Sequence, residues 1–233
     1  MKCIGYIMAA VGIAVVFSGC TMYSDMKENE NPAMETSMML YGGYISPVFR
    51  GVEIADFFAG YQAIREDRDA ALELAGLYFG TAFSPDELFY EKFYVQSHGS
   101  IEVTGVKDVY RYTAAGLMEE RVYQITAAGE GRYIVEGVSS NKGYDEVLRV
   151  CQMKAEAVVE DGVVGIWGLM ADYTENNDLK VVMSCAGTLE MPLCRGGDFW
   201  LYPVSGAIRY DISGEVEDSF IVRYHDGNMN MER

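Results

Sequence analysis

The chain has 233 residues, of which 18 are Lys or Arg, 35 are Asp or Glu and 2 are His, giving a formal charge of −17. Half of the residues are apolar, enough to bury a core, and the length suits one domain or two small ones. The charge excludes a generic nucleic-acid binder, which needs a basic surface to displace counterions, and it disfavours electrostatic docking on anionic lipid heads.

Lys2 opens the chain with a positive charge. An uncharged, mostly apolar run of 14 residues follows, Ile4 to Phe17. A helix needs about 20 residues to cross a bilayer, whereas the core of a signal peptide needs about 7–15, so the run has the length of the second. Small residues, Ser18 and Gly19, lead into Cys20.

Phe17-Ser18-Gly19-Cys20 resembles the lipobox of bacterial lipoproteins, with Phe17 where those proteins usually carry Leu. The resemblance covers about the first twenty residues. It implies that residues 1–19 are a signal peptide cleaved before Cys20, and that the Cys20 thiol is diacylated. Cleavage would remove Lys2 and no acid, taking the charge from −17 to −18. Thr21 stands where enteric lipoproteins kept at the inner membrane carry Asp, so the resemblance implies the outer membrane. Asp25, Glu28 and Glu30 resemble the surface-export signals of Bacteroidota lipoproteins, and the surface and periplasmic faces both stay open.

Residues 20–40 carry the lipidated cysteine and a polar stretch with Pro32 and no helical or alternating period, which reads as a flexible tether. Residues 41–233 read as a single α+β domain. Ile54, Phe57, Phe58, Tyr61 and Ile64 recur at helical steps. Glu66-Asp67-Arg68-Asp69 interrupts them, and Ala70, Ala71, Leu74, Leu77 and Tyr78 resume, so two helices or one kinked helix are expected, stopped by Gly80. Ser84-Pro85-Asp86-Glu87 reads as the start of a short helix through about Tyr90.

From there the pattern is β. Asp161-Gly162 is a favoured two-residue hairpin turn. Turning there pairs Glu160 with Val163 and Glu156 with Trp167. It also sets Val159–Val164, Ala157–Ile166, Ala155–Gly168 and Met153–Met170 opposite one another on an apolar face. Arg121–Ala127 and Arg132–Val138 flank Gly129-Glu130-Gly131, a second hairpin. Leu179–Cys185 alternates with Leu179, Val181, Met183 and Cys185 inward. Phe199–Val204, Ile208–Ser213 and Ser219–His225 read as closing strands, with Pro203 confining its strand to an edge. Asp226-Gly227-Asn228-Met229-Asn230 reads as a frayed terminus. The expected fold is N-terminal helices followed by an antiparallel sheet, sandwich or partly open barrel.

Candidate sites are few. Cys151, Cys185 and Cys194 allow three pairings with one thiol left over, and Cys185–Cys194 would close a small loop. Against that bridge, Cys151 and Cys185 fall on apolar inward faces, where thiols behave as small hydrophobes. Asp172, Glu175, Asn176, Asn177 and Asp178 gather oxygen donors, but a solvated hairpin connection explains them. Isolated His and scattered Cys give no zinc spacing, so no metal or cofactor is expected. No nucleophile elbow, phosphate loop or dinucleotide fingerprint is present.

The chain carries 17 Tyr, 10 Phe and 2 Trp. Asp198, Trp200 and Tyr202 follow a glycine pair, and Trp167 lies on the more polar face of its hairpin. Flat rings beside carboxylates suit sugars or peptides. In the competing reading, the helices cover Trp167 and the rings of Phe199–Val204 fill the core. The expectation is a lipid-anchored envelope protein, a non-catalytic binding or assembly module for a glycan, peptide or envelope partner. The alternative is a carboxylate-dependent envelope hydrolase.

Overall fold

The computed structural model describes residues 32–64, 66–79, 92–95, 99–103, 109–115, 120–142, 147–176, 179–193, 200–214 and 217–233. Residues 1–36 and 37–233 form separate compact units. The expected signal peptide, Cys20 and the helix at 84–90 lie outside the described residues.

The fold is α+β, with helices first and an antiparallel sheet after them, as expected. Helix begins earlier than expected, inside the stretch read as tether. α1 is Pro32–Leu40, a π-helical turn follows over Tyr41–Ile45, α2 is Ser46–Ile64 and α3 is Arg68–Phe79. Pro32 suits a first helical position, where its missing N–H is no loss. Burial here follows a helical period, through Ala33, Ser37, Leu40, Tyr41, Tyr44 and Val48, but the residue types mask it: polar Ser37 is buried and apolar Met39 is 39% exposed.

Pro47 accounts for the π-helical turn. A proline in a continuous helix has no N–H to donate and crowds the carbonyl four residues back, so the preceding backbone opens. The Ser46 N–H bonds to the Tyr41 carbonyl, five residues back. The break between α2 and α3 falls at the charged run. Asp67 caps α3, its Oδ1 accepting from the N–H groups of Asp69 and Ala70 at 3.1 Å each.

The strands are β1 (Lys92–Val95), β2 (Gly99–Val103), β3 (Val109–Ala115), β4 (Glu120–Gly129), β5 (Arg132–Lys142), β6 (Leu148–Glu160), β7 (Val163–Glu175), β8 (Leu179–Cys185), β9 (Leu189–Pro192), β10 (Ser205–Gly214), β11 (Asp218–His225) and β12 (Asn228–Glu232). They form one twelve-stranded sheet, neighbour to neighbour in chain order, except that β10 pairs with both β8 and β9. β8 and β9 are one interrupted strand lying between β7 and β10.

The sheet curls around the helices. Tyr44 meets Tyr173 of β7 edge-on at 5.5 Å, and its carbonyl accepts the Tyr123 hydroxyl of β4 at 2.7 Å. Tyr41, three residues earlier, packs at 5.4 Å from Tyr224 of β11. In a flat sheet β4 and β11 would stand roughly 29 Å apart, six strand spacings of about 4.8 Å. Side chains one helical turn apart reach both only if the sheet bends. Asp56 ties the layers further: it accepts the hydroxyls of Tyr78 from α3 and Tyr133 from β5, each at 2.6 Å.

A line of local breaks crosses the sheet where it bends. Near the turn the β6–β7 register is the expected one, with Glu160↔Val163, Val159↔Val164, Ala157↔Ile166 and Glu156↔Trp167. Beyond Glu156 it shifts by one residue, so that Lys154 faces Met170 and Met153 faces Ala171. The expected pairs Ala155–Gly168 and Met153–Met170 are therefore corrected. Gly168, at φ +58°, is the extra residue of a bulge. The bulge reverses the parity of the strand. Without it Asp172 would point into the core; with it Leu169, Ala171 and Tyr173 are buried and Met170 is 55% exposed. Ala186–Thr188 interrupts the next strand. Gly206 of β10 follows at φ +110°, with the Thr188 carbonyl 2.4 Å from where a Cβ would stand.

Three further expectations about the C-terminal region meet different outcomes. Ile208–Ser213 and Ser219–His225 fall within β10 and β11. Phe199–Val204 does not form a strand over its described part, 200–204. Its rings are used singly: Tyr202 packs at 5.4 Å from Tyr41, and Trp200 lies against Gly227. The stretch read as a frayed end is a hairpin. Asp226 and Gly227, at φ +48° and +72°, turn the chain as Asp161 and Gly162 do at +51° and +79°, and β12 pairs back on β11.

Candidate binding face

The helices occupy the inner face of the sheet, and among the described residues nothing packs over the other face of β4–β8 and β10. Strand register aligns its outward side chains in rows. One row runs Gln124, Glu136, Lys154, Met170, Ser184, Arg209. The next runs Val122, Val138, Gln152, Asp172, Val182, Asp211, and a third runs Ser140, Val150, Thr174, Lys180, Ser213. Alternation along each strand dictates this, since every second residue of β4, β5, β6 and β8 is committed to the core.

A shallow groove of about 840 Å³ lies across the first two rows, lined among others by Val122, Val138, Gln152, Lys154, Met170 and Asp172. Its apolar side chains are not withdrawn from water: Val138 is 63% exposed and Met170 55%. Its charges are matched within the face. Lys154 Nζ is 3.3 Å from Glu136 Oε1, Lys180 Nζ 3.0 Å from Asp172 Oδ2, and Arg209 Nε 3.0 Å from Asp211 Oδ2. Hydrogen bonds from Arg209 and from the Ser219 hydroxyl hold the Asp211 carboxyl below its ordinary range. Three acids and three bases thus cancel across the three rows, on a chain whose total is −17. Each groove carboxylate rests against a lysine, and the side chains of Gln124 and Gln152 add amide donors and acceptors beside the apolar Val138 and Met170.

The residues singled out from sequence do not gather there as a group. Trp167 is on the outward face opposite Glu156, as expected, and donates from Nε1 to Glu156 Oε2 at 2.9 Å. That places it beside the Lys154–Met170 row, on the face opposite to the helices. Trp200 is 40% exposed and covers the β11–β12 turn. Tyr202 joins an inward cluster with Tyr41 and Tyr224, at ring separations of 5.4 and 6.1 Å. Asp198 and Cys194 lie outside the described residues. Cys185 is a half-buried free thiol donating to the Gly187 carbonyl, and burial pushes its pKa up; Cys151 is buried on the inner face of β6. Among the described residues no group of acids, cysteines and histidines could hold a metal ion, and no helix is long and apolar enough to cross a membrane.

The groove residues escaped the sequence reading because Val138, Met170 and Gln152 are ordinary strand residues one at a time. Only Glu156, read opposite Trp167 on the more polar face of the β6–β7 hairpin, pointed to it. No family model, curated protein or solved structure matches the chain.

Proposed function

We propose that this is a lipid-anchored cell-envelope protein, held at the outer membrane through Cys20, that binds an envelope partner without catalysing a reaction. The observation that carries the binding half of the reading is the bare outward sheet face, whose exposed valine and methionine side chains lie among internally paired charges. An antiparallel sheet with one face packed normally turns polar residues to water on the other. Here Val122, Val138, Met170 and Val182 interrupt that pattern in adjacent strands. The anchoring half is supported by the order of positive start, short apolar run, small residues and cysteine in residues 2–20.

Two or three acyl chains at ~0.8 kcal/mol per buried CH₂ hold a protein firmly on a membrane, so the domain needs no lipid-binding surface of its own. Envelope fractions from cells expressing wild type and Val138→Asp, cross-linked and purified on the protein, test the binding half. The reading expects a partner or glycan recovered with wild type and lost with Val138→Asp; equal recovery with both contradicts it.

A further inference from the structure

We propose that Trp200 and Leu201 form a membrane-contacting corner of the domain, set into the headgroup layer of the bilayer that carries the anchor; the inference rests on the lipid anchor at Cys20 proposed above.

Position is the first reason. The compact unit begins at Ser37, one helical turn before Tyr41, so the chain arriving from Cys20 enters the domain beside Tyr41. The Tyr41 ring packs at 5.4 Å from Tyr202 and at 5.4 Å from Tyr224. Trp200 and Leu201 directly precede Tyr202, so they stand at the end of the domain where the chain comes in. Residues 20–36 link the two, and a relaxed chain of that length spans roughly 23 Å. A compact domain of the length of residues 37–233 is ~40 Å across, so the entry end is the end held nearest the bilayer.

Chemistry is the second. Trp200 is 40% exposed and Leu201 59%, and among the described residues they are the one pair of large exposed apolar side chains adjacent in the chain. An indole ring settles at headgroup level, and a leucine beside it reaches the acyl boundary. The indole is held in place. A Cβ at Gly227 would stand 2.9 Å from the ring, so the ring rests directly on the β11–β12 turn. The Asp226 and Gly227 N–H groups donate to the Val204 and Pro203 carbonyls at 2.9 and 3.2 Å, tying the segment behind Trp200 to the same turn. A tip fixed in this way loses little freedom on contact.

The surroundings pick out this corner. The register Arg132↔Val158, Val158↔Gly165, Gly165↔Glu190, Glu190↔Ser205 and Ser205↔His225 puts the β4–β5 and β6–β7 turns at the same strand end. Those turns carry Glu130 and Glu160-Asp161, which favour water. The apolar corner lies instead beside the entry of the chain. The anchor alone holds the protein on the bilayer, and the contact serves to orient the domain. The high effective concentration that the anchor creates lets a two-residue contact suffice.

The test uses the full lipidated protein reconstituted into phosphatidylcholine vesicles, with or without bromine on the acyl chains, which quenches indole on contact. Emission from Trp200, taken as wild type minus Trp200→Phe, should fall at least about twofold with brominated lipid, while Trp167 on the outer sheet face keeps its emission. Leu201→Asp, at an exposed position that the fold tolerates, should abolish most of that loss by bringing a charge to the layer. Unquenched Trp200 in protein that floats with the vesicles overturns the corner contact and leaves the anchor standing. Protein that does not float with the vesicles overturns both. Equal quenching of Trp167 and Trp200, or quenching of Trp200 that survives Leu201→Asp, overturns the assignment to this corner.

Discussion

Asp56 accepts two tyrosine hydroxyls at 2.6 Å, one from α3 and one from β5, and so joins both to α2. Hydrogen bonds to a charged group contribute about 1.5–3 kcal/mol each, and a phenylalanine leaves the carboxylate short of a donor. Tyr133→Phe should lower the unfolding free energy by about that amount in denaturant melts, and Tyr78→Phe by less because its site is wetter. Equal melts for wild type and Tyr133→Phe would remove Asp56 as a tie. The inward tyrosines make a second residue-scale prediction. Burial raises the pKa of Tyr41, Tyr173, Tyr210 and Tyr224 well above 10.0. Above about pH 10 the unfolded chain releases these protons and the folded chain keeps them. Stability is therefore full below that pH and falls as pH rises through it. Phenolate absorbance should show these four tyrosines ionising only together with unfolding. Smooth ionisation of all tyrosines near pH 10 in a folded protein would contradict their burial.

At the scale of elements the Gly168 bulge decides which face of β7 meets the helices. Nothing lies within 4 Å of a Cβ built at Gly168, so Gly168→Ala suffers only from its positive φ, about 1–2 kcal/mol. Gly168→Asn should suffer less, since Asn tolerates that region. Gly206→Ala should be worse than either, because its Cβ meets the Thr188 carbonyl at 2.4 Å. Thermal melts should place Gly168→Asn highest, Gly168→Ala below it and Gly206→Ala lowest; Gly206→Ala melting with wild type would deny the close approach. The bulge also marks where sequence stops being readable. From the turn to Glu156 the β6–β7 register follows from Asp161-Gly162 and alternation alone. Past it, glycine fits opposite alanine as well as it fits a bulge, and only packing of Tyr173 against Tyr44 chooses. The β11–β12 hairpin was legible from the same Asp-Gly pair but stood too near the end to be weighed as a strand. Residues 200–204 alternate like a strand, yet Pro203 cannot join a ladder on both sides, and Tyr202 is drawn instead to Tyr41.

For the whole molecule, composition and charge restricted the fold class and partner class, and the helix–strand order could be read from periodicity. The bare face could not, because it is assembled from single residues of separate strands and depends on which face the helices take. The true start of helix was hidden for a different reason: over residues 37–41 the side turned to the core includes polar Ser37 and the side turned to water carries Met39, so hydropathy does not mark the face. What residues 1–20 imply is independent of all this, and it sets the context in which the sheet face works. Metabolic labelling with a palmitate analogue, comparing wild type with Cys20→Ala in cells, tests that context directly. Label on the wild-type chain, with Cys20→Ala unlabelled and released from the membrane fraction, is the result this account predicts. Equal labelling of the two, or a wild-type chain carrying no lipid, would contradict it.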